Sequence, residues 1–153
     1  MRKYNIDNEP GTYAILLKNK VRKNIRVGKL GIYTFAPGYY VYLGSALGPG
    51  GLQGRLNRHI RREKKKHWHI DYIRSRMKLL EIWYAVQNKN SECFWALKLK
   101  MLNIASKDII RFGSSDCRCN SHLIFLPIFP SCDKFAHLLA QNLTVLKLKR
   151  DTD

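Results

Sequence analysis

Acidic residues are few in this chain. Eleven Asp and Glu stand against 28 Lys and Arg, a formal net charge of +17 over 153 residues. A compact domain with that imbalance repels itself, so the charge points to an anionic partner, and nucleic acid leads. The plain alternative is a solvated basic surface. Long apolar runs are also missing: no stretch reaches the roughly 18 residues of a membrane helix, so no membrane association is expected. The opening Met1-Arg2-Lys3-Tyr4 lacks the apolar segment of a secretory signal, and the expected location is cytoplasmic. No pair of Cys-x-x-Cys knuckles occurs. In a reducing setting the four cysteines, Cys93, Cys117, Cys119 and Cys132, read as thiols or metal ligands rather than disulfides. No Gly-Lys-Ser or Gly-Lys-Thr follows the glycines, which excludes a Walker loop.

What is present suffices for a core. Hydrophobic residues make up 45% of the chain, and no repeat, linker or change of composition divides it. The expectation is one domain over residues 1–153. Residues 12–17 read as a strand. Residues 25–27 and 32–35, flanking Gly28-Lys29-Leu30-Gly31, read as a hairpin. After the Pro37-Gly38 turn, residues 39–43 are dense in aromatic and β-branched side chains and form a strand. That strand puts Tyr40 and Tyr42 on one face, and Tyr39, Val41 and Leu43 on the other. Leu52, Leu56 and Ile60 recur every four residues, which predicts a helix over residues 52–63. Further on come a strand over 79–86 and a helix over 92–102 with Ser91 as N-cap. A strand over 122–129 and a helix over 133–143 complete the α+β order.

Between the strand over 39–43 and the helix over 52–63 lies a glycine-rich loop, Gly44 to Gly51. Amides at a helix N-terminus attract phosphate, but a flexible connection is the more economical reading of the loop alone. Its surroundings add weight. Arg55 and His59, four apart, share a helix face that adjoins the apolar stripe. An arginine offers a bidentate fork for phosphate, while tyrosines and a histidine can transfer protons. One carboxylate would then hold a Mg²⁺ or Mn²⁺ ion.

These elements occur in the order of a known family. Gly11-Thr12-Tyr13 stands where the GIY-YIG nuclease superfamily has Gly-Ile-Tyr, and Tyr42-Leu43-Gly44 where it has Tyr-Ile-Gly. Arg55 and His59 match the helix arginine and the residue four positions on. Glu92 matches the metal-binding glutamate in order and approximate spacing, with Glu81 as its competitor. The strings Gly38-Tyr39-Tyr40-Val41-Tyr42-Leu43-Gly44-Ser45-Ala46, His67-Trp68-His69-Ile70-Asp71-Tyr72 and Gly113-Ser114-Ser115-Asp116-Cys117-Arg118-Cys119 resemble the Uri-type endonuclease subfamily. The resemblance covers residues 11–125, with a C-terminal strand and helix over 122–143. It implies a small domain with a central sheet of about three strands, flanking helices and an inserted hairpin. It further implies metal-dependent hydrolysis of DNA, directed by structure or damage. Glu92 would bind the metal and Arg55 would neutralise the scissile phosphate. Tyr13 or Tyr42 would accept the proton of the attacking water, directly or through His59. The alternative is a DNA- or RNA-binding module of the same fold without catalysis.

Two clusters remain. In the first, His67-Trp68-His69 follows a basic run. Gly44, Ser45, Arg58, Arg62, Lys64, Lys65, Lys66, His67 and His69 are the candidate contacts to nucleic acid, and Trp68 could stack on an unpaired base. The bland readings are a core tryptophan and a histidine satisfied by Asp71. In the second, Cys117, Cys119 and His122 could bind zinc with Cys93 as fourth ligand, the mark of a zinc-stabilised interaction domain. Packed thiols in a tight turn are favoured over zinc, because the usual paired knuckles are lacking.

Overall fold

A computed structural model of the protein describes residues 4–112 and 119–148. β1 (Gly11–Asn19) lies at the centre of an antiparallel sheet, between β4 (Gly38–Ala46) and β5 (Lys78–Val86). β7 (Leu123–Leu126) and β6 (Lys107–Asp108) extend the β4 side, and β8 (Thr144–Lys147) the β5 side. The sheet therefore has six strands in the order β6-β7-β4-β1-β5-β8, not about three. β1, β4 and β5 match the strands expected at 12–17, 39–43 and 79–86, and β7 is a shorter form of the one expected at 122–129; β6 and β8 are edge strands too brief to show a period. β2 (Lys23–Arg26) and β3 (Ile32–Phe35) form the separate hairpin, joined by a 3-10 turn at Gly28–Leu30.

Side-chain alternation along β1 and β4 sorts the core into two layers. Tyr13, Ile15, Leu17, Tyr40 and Tyr42 point to one face. That face packs Leu52 and Leu56 of α1 (Gly51–Ile60) and Ile70 and Ile73 of α2 (His69–Arg74). Ala14, Leu16, Val41, Leu43 and Trp83 point to the other. There they meet Trp95 and Leu99 of α3 (Glu92–Lys100) and Phe135 and Leu139 of α4 (Cys132–Leu139). Trp83, Trp95 and Phe135 are fully buried, and each such side chain contributes roughly 1.5–3 kcal/mol of apolar burial. The protein is α+β, with helices on both faces of the sheet. No helix among the described residues is long and apolar enough to cross a membrane.

Several local expectations need correcting. α1 stops at Ile60 rather than residue 63, because Arg61 is extended. Lys64 and Arg74 then supply donors to the helix's last carbonyls. Ser91 stands at the N-cap of α3, but its side chain caps nothing. α4 ends early, at Leu139, where Ala140 turns into the left-handed region at φ 57°. α2 was not foreseen: six residues are too few for a helical apolar stripe to declare itself.

Candidate functional site at one end of the sheet

β1 begins, and β4 and β5 end, at the same edge of the fold. Tyr13, the third residue of β1, is buried, and its hydroxyl lies 2.8 Å from Nε2 of His59 on α1. Gly44 faces Tyr13 across the β1–β4 pair. A Cβ there would overlap the Tyr13 phenol, so glycine is what makes room for the ring. Gly11 is likewise needed, since a Cβ would strike the Ala85 carbonyl and the Leu52 side chain. The motif glycines thus serve packing, and a phosphate-contacting role for Gly44 is not required to explain it.

Burial keeps His59 neutral, its pKa held well below the usual 6.5, with the Lys64 ammonium acting in the same direction. Burial raises Tyr13 to about 12 against the opposing pull of the nearby Arg55 guanidinium. Tyr42 is raised further, first by burial and then by its neighbour Tyr13. Its ring packs on His59 at 6.1 Å between centroids. Arg55 is tethered: Nη1 donates to the Ser45 carbonyl at 3.0 Å. The Glu92 carboxylate, at the start of α3, is near enough to act electrostatically on both Tyr13 and Tyr42. It is half-buried, and among the described residues it makes no ion pair. Tyr13, Tyr42, Arg55, His59 and Glu92 are therefore gathered in one place.

Glu81 is separated from them. It shares the opposite sheet face with Trp83, whose Nε1–H it accepts at 2.9 Å. A carboxylate close enough to two tyrosines to act on them electrostatically, and without an ion pair among the described residues, suits a hard divalent ion bound through oxygen and water. Glu92 fits that description and Glu81 does not.

The basic cluster is more interior than its composition suggests. Asp71, with a side chain sealed from solvent, accepts two bonds from the Arg58 guanidinium at 3.0 and 2.8 Å. It also accepts the backbone N–H groups of His67 and Trp68, at 2.8 and 2.9 Å. It thus serves Arg58 and the start of α2, not a histidine side chain. Lys64 donates to the carbonyls of Arg58, His59 and Arg61, at 2.7, 3.2 and 2.8 Å. It holds the α1 terminus while lining the basic depression formed with Arg58, Arg61, Lys65 and Lys66. Arg62 reaches the Ser75 carbonyl. Both Arg55 and Arg58 lie over the Trp68 ring, at 4.5 and 4.2 Å, so that ring is engaged within the protein. His69 packs on Phe112, while His67 is exposed beside Trp68. Lys65, Lys66 and His67 remain at the surface with Arg58 and Arg61, around a shallow depression of about 410 Å³. At the other end of α1, the Leu52 and Gln53 amides bond to the carbonyls of Glu9 and Asp7, and are not open to phosphate.

Asp71 was named in the sequence only as a histidine's partner. Its isolation among cations was the signal for a larger role. Burial alone would raise its pKa, but the Arg58 bond and the two amides outweigh burial and hold it near 2, below the usual 3.8. A depressed carboxylate contributes stability above pH 3.8, and that stability is lost as pH falls from 3.8 toward 2. Asp71→Asn is expected to cost roughly 2–3 kcal/mol at neutral pH, by leaving Arg58 without its anion. It should also flatten the acid limb of the stability profile. Thermal unfolding followed from pH 2 to 7 reads both; an unchanged acid limb in the variant would assign that limb elsewhere.

The cysteine turn also closes up in space. Ligand atoms of Cys93, Cys119 and His122 all lie within 4.8 Å of one another, so this group could hold a metal ion. Cys117 lies outside the described residues. Cys93 is disulfide-bonded, against the expectation of thiols throughout, because tertiary contacts bring sulfur atoms together that sequence spacing keeps apart. Cys132 sits apart at the start of α4.

Fold and site together define a small, strongly basic α+β protein. Its sheet end carries a buried tyrosine–histidine pair, a tethered arginine and a half-buried carboxylate. The chain belongs to the family described as Domain of unknown function DUF123, whose model matches residues 12–144. No curated protein and no solved structure matches it.

Proposed function

We propose that the protein is a divalent-metal-dependent endonuclease of the GIY-YIG kind, hydrolysing phosphodiester bonds in DNA of altered structure or damaged sites. The observation that carries this reading is the convergence of Tyr13, Tyr42, Arg55, His59 and Glu92, from four separate elements, at one end of the sheet.

Each residue has a role its geometry favours. Glu92 would hold a Mg²⁺ or Mn²⁺ ion, which when bound supplies stabilisation of charge developing on phosphate. Arg55 would turn its guanidinium to a phosphate oxygen, having been oriented by the Ser45 carbonyl and the Trp68 ring. Tyr13, rather than Tyr42, is placed for proton transfer. The Arg55 guanidinium lowers its pKa against burial, and its O–H can donate to a neutral His59 at Nε2. Water could then lose a proton to Tyr13 as Tyr13 passes its own to His59. Tyr42, whose hydroxyl is raised further, would orient rather than accept.

A panel of flapped, branched, nicked and damaged duplexes in Mg²⁺ or Mn²⁺, with EDTA as control, tests the reading. Metal-dependent nicks support it. Tight binding without cleavage on any member would instead assign a nucleic-acid-binding module.

Affinity for DNA should fall steeply with salt, since each neutralised phosphate contributes a log–log slope of about −0.9. Removing Lys65 and Lys66 together should lower that slope by up to roughly 2 and weaken all sequences alike. Lys64 is left out of the pair because it holds the end of α1. Binding that does not change between low and physiological salt would remove the basic surface from the account.

A further inference from the structure

We propose that Cys93, Cys119 and His122 form a zinc site that ties the loop before β7 to the N-terminal turn of α3. The three ligands come from different stretches of chain: Cys93 is the second residue of α3, Cys119 lies in the loop, and His122 immediately precedes β7. Their donor atoms lie within 4.8 Å of one another. Cys93 Sγ is 3.7 Å from His122 Nε2. With Zn–S of about 2.3 Å and Zn–N of about 2.05 Å, a tetrahedral ion separates such a pair by roughly 3.6 Å. The observed distance already matches that edge.

The backbone that carries the ligands is held. The His122 N–H donates to the Phe112 carbonyl at 2.8 Å, and its carbonyl accepts the Leu43 N–H at 2.9 Å. The next strand, β7, is paired to β4 from Leu123 onward. The imidazole is thus presented from the sheet itself, and the helix brings a thiol to it. Two sulfurs and one imidazole select a borderline-soft ion such as zinc over Mg²⁺ or Ca²⁺, which prefer oxygen. This site is chemically distinct from the oxygen donor at Glu92.

Zinc takes Cys93 as a thiolate, so the site forms in the reduced protein. A dithiol reductant supplies two electrons and two protons to the Cys93 disulfide and becomes a disulfide itself. Zinc then displaces thiol protons to solvent as the Zn–S bonds form. Because Glu92 directly precedes Cys93, the bound ion would also fix where the Glu92 carboxylate sits. That last consequence rests on the nuclease reading; the zinc site does not.

The test uses the full chain purified under a dithiol reductant, loaded with zinc chloride, passed through gel filtration and assayed for metal. One zinc per chain is expected, unaffected by excess Mg²⁺. Cobalt in its place should show thiolate-to-cobalt charge transfer and the intense visible bands of a tetrahedral ion. Cys119→Ser and His122→Ala should each lose the metal and lower the melting temperature, while Cys132→Ser keeps both. Reduced wild-type protein that retains no stoichiometric zinc overturns the proposal, as does a Cys119→Ser variant with full zinc and an unchanged cobalt spectrum. If Cys119→Ser does not fold, the wild-type cobalt spectrum decides: absent charge transfer overturns the site. A chain that binds zinc in this way yet cuts no DNA upholds the site and removes the nuclease reading.

Discussion

Glu92→Ala is expected to abolish strand cleavage while DNA binding is kept or slightly tightened. The carboxylate's proposed task is to hold a cation against charge that develops only in the transition state. Its loss should therefore fall on turnover rather than affinity. Losing one such electrostatic contact costs on the order of 10²-fold or more in rate. Binding should not suffer, because removing a negative charge removes repulsion toward phosphate. Glu92→Gln should be almost as damaging, since a neutral amide is a poor ligand for a hard ion. The control is Glu81→Ala. Glu81 lies on the opposite sheet face, engaged with the Trp83 indole, and cleavage should be unaffected. Single-turnover cleavage and a binding titration on the same substrate read the two effects separately. An active Glu92→Ala with a dead Glu81→Ala would move the metal to the wrong side of the sheet for Tyr13 and defeat the arrangement proposed here.

Gly44→Ala is expected to damage both fold and chemistry through a single methyl group. The added Cβ would overlap the Tyr13 phenol, which is fully buried and packed against His59 at 5.3 Å between ring centroids. Overpacking of this kind costs about 1–3 kcal/mol. The ring can only escape by giving up its bond to His59, so cleavage should fall further than stability accounts for. Gly48→Ala is the matched control, since nothing lies within 4 Å of its Cβ position. Tyr13→Phe combined with Gly44→Ala should recover part of the lost stability, because the crowded hydroxyl is gone, and none of the lost cleavage. Melting temperatures of the four proteins measure the coupling. Strictly additive losses would show that the methyl group does not meet Tyr13.

The regular elements were legible where a pattern repeats along the chain. The alternation of Tyr40 and Tyr42 against Val41 and Leu43 reported the two faces of β4, and these pairs enter separate core layers. The spacing of Leu52 and Leu56 reported the buried side of α1 in the same way. α2 and β8 escaped notice because six and four residues hold too little of any period. Arg55 and His59 could be placed on one helix face from spacing alone. Which tyrosine His59 would meet could not, since Tyr13 lies 46 residues away.

Charge shows the same division. The net charge of +17 is a property of composition and needs no coordinates. Which cations are available is another matter. Lys64, Lys65 and Lys66 are indistinguishable in the sequence, yet Lys64 turns inward to three carbonyls while Lys65 and Lys66 stay exposed. Glu81 and Glu92 are rivals in the sequence, yet Glu81 accepts the Trp83 indole N–H while Glu92 acts electrostatically on Tyr13 and Tyr42. Cys93 and His122, 29 residues apart, were grouped as candidate ligands from residue type, and the packing of α3 against the sheet brings Sγ and Nε2 to 3.7 Å. The sequence by itself determined the α+β class, the order of the longer strands and helices, and the basic composition, because these follow from local periodicity and from sums over residues. Only the tertiary structure decided which tyrosine pairs with histidine, which glutamate comes near them and which lysine turns inward. Those are contacts between distant segments, and they are set by how the two faces of one sheet are covered.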